Sequence, residues 1–274
     1  MTCLAEYMKH ILSFSSCEDT PMMLVRENSQ VERIPLSSEM NFSFSDDKYC
    51  IGYKTDLDEY KQCRHGASSI RQCPKCAYKD VARVYTVGDF TLYPHLRDIL
   101  DEEKYIIYIA QFGADITKVG LTRRSRYIKR WREQGADFAV ALMEFDGPTQ
   151  AYPAEQYLQN VFGFRNSVQA KQKISRINFD RLKAQTCLEN AITRVSNDAN
   201  LQSYLTNEKL VNMSENYPKV LNPEIVDYVQ GNILGAKGNW LFFEGASGLH
   251  YACNMNQQVA KFLAQKKNDG LFLD

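Results

Sequence analysis

The stretch "YIIYIAQFGADITKVGLTRRSRYIKRWREQG", Tyr105 to Gly135, decides how this chain is read. "IIYIA" and "ITKVGLT" are short runs rich in β-branched and aromatic residues. "QFGAD" between them is a glycine and aspartate turn, so the two runs read as an antiparallel hairpin. Pairing about Gly113 sets Tyr108 opposite Lys118, where side chains on one face lie about 5 Å apart. "RRSRYIKRWREQG" follows as a helix, with Gly135 as its C-terminal stop. Tyr127, Ile128 and Trp131 form its inward stripe. Arg126 and Arg130, four apart, share another face. With Lys118, Arg123, Arg124, Lys129 and Arg132 they concentrate positive charge, and almost no acid lies inside the stretch.

That concentration is local. Lys+Arg and Asp+Glu are equal at 33 each over 274 residues, so the formal net charge is zero. Affinity for a polyanion must come from a patch, not from the whole chain. A basic helix face is often only solvated; a hairpin leading straight into it favours an anion site. The chain is 44% hydrophobic, which suits a globular protein. The runs "YIIYIA" and "FAVALM" are far shorter than the roughly 20 residues of a membrane span. "MTCLAEYMKHILSFSS" has no apolar core behind a positive leader, so a cytoplasmic protein is expected.

Outward from the hairpin, the fold class expected is α+β. The divisions are a mixed N-terminal segment (1–49), a cysteine segment (50–80), an α+β domain with a small antiparallel sheet and flanking helices (81–200), and a β-hairpin region (201–274). Cys3 to Phe14 carries a short helix pattern, and "MMLVREN" and "VERIPL" are strand-like. Residues 81–104 end in a helix pattern. Gly231, Gly235 and Gly238 read as glycines at β-turns or bulges, because no Lys-Ser/Thr follows and no helix opens there.

Cys50, Cys63, Cys73 and Cys76 cluster in "CIGYKTDLDEYKQCRHGASSIRQCPKCAYKD". The C-P-x-C pair points two thiolates at one centre, and the upstream pair completes the four ligands a tetrahedral Zn²⁺ wants. His65 is an alternative ligand. A redox dithiol and unrelated buried cysteines are the competing readings. Four protein ligands close the coordination shell, so the zinc would be structural. Downstream, Pro153 is read as starting a helix, "PAEQYLQNVF", that buries Ala154, Leu158, Val161 and Phe162. Glu155 borders that stripe, so its carboxylate must be paired, with an arginine of the basic helix, or bind a cation.

In order, "IYIAQFGADITKVGLT…RYIKRW…AEQYL" resembles the GIY-YIG nuclease superfamily. The resemblance implies a short antiparallel sheet, an Arg-bearing helix and a later helix with one Glu. It implies that Tyr108 acts on the attacking water and that Arg130, or less well Arg126, binds the scissile phosphate. Glu155 would hold Mg²⁺ or Mn²⁺, and Lys118 would be a second phosphate contact. The sequence departs from the motif: Ile106 replaces the first glycine and Lys118 stands where the second motif has tyrosine. The wider chain also resembles a prokaryotic family of unknown function, through "CIG…QCPxC", "KVGxT…RWxEQGA" and a late "GxKG" at Gly235 to Gly238. The expected activity is nucleic-acid binding through Lys118, Arg123, Arg124, Arg126, Lys129, Arg130 and Arg132, with metal-dependent phosphodiester hydrolysis. The competing expectations are a core that binds without cutting, and a zinc module that docks a protein partner.

Overall fold

The computed structural model describes residues 9–55, 59–64, 66, 69–80 and 103–264. The chain divides into two compact units, one of residues 1–83, 222–236 and 240–274, the other of 84–221 and 237–239. It is a mixed α+β protein. In chain order it runs β1 (Lys9–Ser15), β2 (Met22–Glu27), β3 (Gln30–Pro35), β4 (Glu39–Phe44), β5 (Tyr53–Lys54), β6 (Tyr60–Lys61) and α1 (Pro74–Lys79). Then come β7 (Tyr105–Phe112), β8 (Ile116–Arg123), α2 (Tyr127–Gln134), β9 (Phe138–Phe145), α3 (Pro148–Phe162), α4 (Ala170–Ile174), α5 (Arg181–Ser196) and β10 (Val211–Asn212). Last are β11 (Glu224–Val226), β12 (Val229–Lys237), β13 (Trp240–Glu244), β14 (His250–Asn254), α6 (Met255–Gln258) and β15 (Phe262–Ala264). No helix among the described residues is long and apolar enough to cross a membrane.

The first unit is built on a nine-stranded sheet ordered β11-β14-β13-β12-β4-β15-β1-β2-β3. The C-terminal β15 lies between β4 and β1, so the two ends of the chain share one sheet and not two separate segments. Lys9 to Ser15 is strand, not the helix its pattern suggested. Ile11 and Leu12 are fully buried there, and the backbone pairs with β2 and β15. β2 turns into β3 through Asn28 and Ser29, both at positive φ, the geometry a two-residue hairpin needs. The helix pattern read at the end of residues 81–104 lies almost wholly outside the described residues.

The second unit holds a four-stranded sheet ordered β10-β9-β7-β8. α3 and α5 cover one face, where Leu158, Ala184 and Leu188 pack on Ile107, Ile109 and Val119. α2 covers the other, where Trp131 packs with Tyr108, Ala110 and Phe112. β7 is therefore buried on both sides along its length. β8 is the edge strand, and its outer groups are partly capped. Val119 N–H donates to the Arg165 carbonyl at 2.9 Å, and Arg165 N–H to the Thr117 carbonyl at 3.2 Å.

Three local readings are corrected. The hairpin centres on Ala114, not Gly113: Tyr108 pairs with Gly120 and Ala110 with Lys118. Gly113 takes a left-handed φ of 59° and donates its N–H to Asp137 Oδ2 at 2.7 Å, which leaves three residues in the turn. The third helix starts at Pro148, whose locked φ suits a first helical position, and Pro153 sits inside it. Val161 is exposed, while Ala151 and Leu158 are the fully buried residues.

Asp137 is the central polar contact of this unit. It is buried with Lys237, whose ammonium donates to Oδ1 at 2.6 Å. Burial pushes its carboxyl up, against Lys237 and the Gly113 N–H. Beside it, α2 ends at Gly135 with φ 72°. A Cβ on Gly135 would sit 2.9 Å from Gly238 N, and one on Gly238 would sit 2.9 Å from the Gln134 carbonyl oxygen. Only two glycines allow that approach. Asp137→Ala leaves a buried ammonium without its partner and is expected to destabilise the unit by about 3–5 kcal/mol. The double variant Asp137→Leu, Lys237→Met should recover most of that loss. Urea unfolding of the full chain measures both; an unchanged midpoint for Asp137→Ala refutes a structural role for the pair.

Candidate functional site

The four predicted cysteines come together. The Sγ atoms of Cys50, Cys63, Cys73 and Cys76 all lie within 4.8 Å of one another, so the group has the form of a metal site. The twelve residues between Cys50 and Cys63 carry the β5–β6 hairpin, whose ends return to the same place. Gly52 makes that return possible. It holds φ 85°, and a Cβ there would strike the Lys61 carbonyl oxygen at 1.8 Å. Cys73 caps α1 with Pro74 at the first helical position, which lifts Cys76 toward the same centre. The Cys63 and Cys73 sulfurs are 3.8 Å apart. A tetrahedron with Zn–S bonds of about 2.3 Å has edges of about 3.8 Å, so the pair fits zinc. Cys73 N–H donates to Cys50 Sγ at 3.2 Å, an amide placed to hold a thiolate. Around them Gln72 Nε2 bonds the Gly52 carbonyl at 2.7 Å and Asp80 Oδ2 at 2.6 Å, tying the loop to the end of α1. His65 lies outside the described residues.

In the second unit, three predicted residues meet at the edge of β8. Tyr108 and Lys118 are diagonal neighbours on the α2 face, and Lys118 Nζ stands 3.5 Å from the Tyr108 hydroxyl and 3.1 Å from the Val119 carbonyl oxygen. Glu155 reaches the same edge from α3. Burial pushes its carboxyl up; the Lys118 ammonium and the Leu121 N–H act against that. The cation acting on Glu155 is thus Lys118, not an arginine of the basic helix. Tyr108 is 0% exposed and donates to Gln134 Oε1 at 3.0 Å. Gly120 lies flat against it: a Cβ there would be 2.3 Å from the phenol oxygen. A lone carboxylate beside an ammonium is not a cage for Mg²⁺, which needs several oxygens around it.

The basic stretch is less bare than its sequence. Arg126 pairs with Glu133 at 3.1 Å, and Arg130 reaches the same carboxylate at 3.8 Å. Arg123 pairs with Glu103 at 3.0 Å, and Arg124 with Glu208 at 2.6 Å and Glu144 at 3.6 Å. Glu103, Glu144 and Glu208 come from outside the stretch, so a count of local charge misses them. Lys129 and Arg130 remain exposed on α2, while Arg132 is half-buried.

Two features escaped the sequence. A cleft of about 340 Å³ lies along β8 and α5, lined by Thr117, Arg165, Arg194 and the stacked rings of Phe162 and Phe164. Lys173 on α4 is buried, its ammonium 5.4 Å from the Phe112 ring centre. Burial, then Lys118, Arg130 and Lys237, bring it down to about 8. Nothing in "AKQKI" marks that lysine as different from its neighbours.

No curated protein and no solved structure matches this chain. Residues 37–259 match the family described as protein of unknown function DUF2797, and that is the family to which the chain belongs.

Proposed function

We propose that the second unit binds nucleic acid through phosphate groups at the β8 edge, and that the first unit carries a structural zinc. The observation behind the first statement is the meeting of Lys118, Tyr108 and Glu155 at one strand edge, with Arg130 and Lys129 exposed on the adjoining helix. Lys118 offers an ammonium held by neutral oxygens, and Arg130 a guanidinium that only shares its carboxylate with Arg126. Both can exchange those partners for phosphate oxygens. The neighbouring cleft supplies Arg165, Arg194 and a stacked phenylalanine pair, which suit a base and its backbone.

Phosphodiester hydrolysis by a GIY-YIG-like centre is the second reading. What favours it is Glu155, a carboxylate at the strand edge beside Tyr108 and Lys118. What favours binding alone is that the Tyr108 hydroxyl is closed off by Gln134 and Gly120, and that an ammonium occupies the surroundings where a divalent ion would need oxygens. The zinc reading rests on four sulfurs within 4.8 Å of one another, with Cys63 and Cys73 at 3.8 Å; a closed four-thiolate set leaves no position for water, so its part is to hold the β5–β6 hairpin against α1.

Anisotropy with a labelled oligonucleotide should show binding at low salt, with a log–log salt slope of about −2 for two neutralised phosphates. Lys118→Met and Arg130→Gln should each weaken it by about tenfold or more. Retention that is undetectable at low salt rejects the reading. For hydrolysis, the wild-type chain with Mg²⁺ or Mn²⁺ is compared with Glu155→Ala. Cleavage lost in the variant supports an enzyme; no cleavage by either rules it out.

Elemental analysis of the purified chain should find zinc, and Cys73→Ser should deplete it. A strong chelator should lower Tm by about 10 °C or more, because binding free energy here is folding free energy. A zinc-free chain whose Tm ignores the chelator disproves the metal.

A further inference from the structure

The cleft beside β8 is shaped by the way one helix ends. α3 stops at Gly163, whose φ of 72° is a left-handed cap, and the Gly163 N–H donates to the Gln159 carbonyl at 3.1 Å. That turn folds Phe164 back onto Phe162, with ring centres 5.8 Å apart and planes 18° from parallel. It then lays Arg165 along the edge of β8, where its backbone bonds Val119 and Thr117 at 2.9 and 3.2 Å. α5 closes the other side and brings Arg194, whose guanidinium lies over the Phe162 ring, 5.6 Å from its centre. Rings and guanidiniums thus line one cleft of about 340 Å³, a volume in the range of small-ligand pockets.

Neither guanidinium of the cleft has a carboxylate of its own. Among the described residues, Arg165 and Arg194 form no ion pair. The one acid on the cleft wall, Asp115, is held by Arg176 through two bonds of 2.6 and 2.7 Å, and Arg165 acts on it only from further away. The basic stretch after β8 is different, because Arg123, Arg124, Arg126 and Arg130 each reach a glutamate there. Asn190 adds an amide, donor and acceptor together, to the α5 wall. A bare phosphate needs cations and no rings; an apolar ligand needs rings and no guanidiniums. Both on one wall fit a planar base that carries its own phosphate.

We propose that the cleft seats one unpaired base of a single strand, stacked against the Phe162 and Arg194 planes, with the adjoining phosphate between Arg165 and Arg194. This seat presupposes nucleic-acid binding by the second unit, and it selects the kind of strand bound. The Arg165 backbone bridges to Lys118, so the seat adjoins the strand-edge contact without sharing its cations. A base inside a duplex is paired at its edge and covered on both faces by its neighbours in the stack. It must be unpaired and unstacked before Phe162 and Arg194 can take those faces. A base in a single strand is already available.

The test uses the full chain at low salt and three labelled probes: a single strand, the same sequence as a duplex, and a strand of equal length with an abasic residue at every position. The natural single strand should bind about tenfold or more tighter than the base-free one, the difference that stacking of one base makes. It should also bind tighter than the duplex. Phe162→Leu keeps apolar volume and removes the ring, so it should bring the natural strand down to the level of the base-free one. Cys187 lines the same cleft and gives a readout that needs no variant. Its alkylation by iodoacetamide, followed by mass spectrometry of its peptide, should slow when the natural strand is bound and not when the base-free strand is. Equal affinity for the natural and base-free strands overturns the seat and leaves phosphate binding standing. So does a duplex bound more tightly than the single strand, or a Phe162→Leu chain that keeps the preference for bases while the strand leaves Cys187 unprotected. Retention of none of the three probes overturns the seat and the nucleic-acid reading together.

Discussion

The second unit is organised around one buried charge pair, Asp137 with Lys237. Asp137 lies between the end of α2 and the start of β9; its carboxylate accepts the Gly113 N–H and the Lys237 ammonium. Its carbonyl accepts the N–H groups of Met213 and Ser214, and its own N–H donates to Gln111. Five backbone or side-chain groups from three other stretches of chain thus meet at one residue. The contact reaches the candidate site through the hairpin. By holding Gly113 in the left-handed region it sets the turn at three residues, and the turn sets the register. That register puts Gly120, not Lys118, across from Tyr108. A side chain at 120 would collide with the phenol, so the glycine is what lets Tyr108 lie flat and leaves Lys118 on the diagonal.

How much of this was legible follows from the range of the forces. The hairpin, the stop at Gly135 and the meeting of four cysteines depend on residues close in sequence, and reading them needed only turn chemistry and ligand spacing. The register did not follow, because it is fixed by a carboxylate 24 residues beyond Gly113. The basic stretch was read as bare, because its carboxylate partners lie up to 84 positions away. Lys173 was invisible for a related reason. Its neighbours in "AKQKI" are equally polar, and only the packing of α4 over Phe112 separates a buried lysine from a solvated one.

The two units hold their polar groups in opposite ways. Around the cysteines four sulfurs lie within 4.8 Å of one another, as a metal site requires, and Gln72, Asp80 and the Cys73 amide make hydrogen bonds about them. A metal held by four thiolates contributes stability and keeps no open position for a substrate. At the β8 edge the groups are incompletely matched. Glu155 has one amide and one ammonium at a distance, and Arg126 and Arg130 share a single carboxylate. Incomplete matching costs stability, and it leaves the groups free to change partners.

The buried lysines carry that contrast furthest. A long apolar residue in place of any of them would fill similar volume without the cost of removing an ammonium from water, and replacing buried ions by apolar side chains is often neutral or stabilising. Lys237 offsets its cost with Asp137 and ties down the turn that sets the hairpin. Lys118 offsets part of its own with neutral oxygens and stands at the strand edge. Lys173 has no such offset within the described chain.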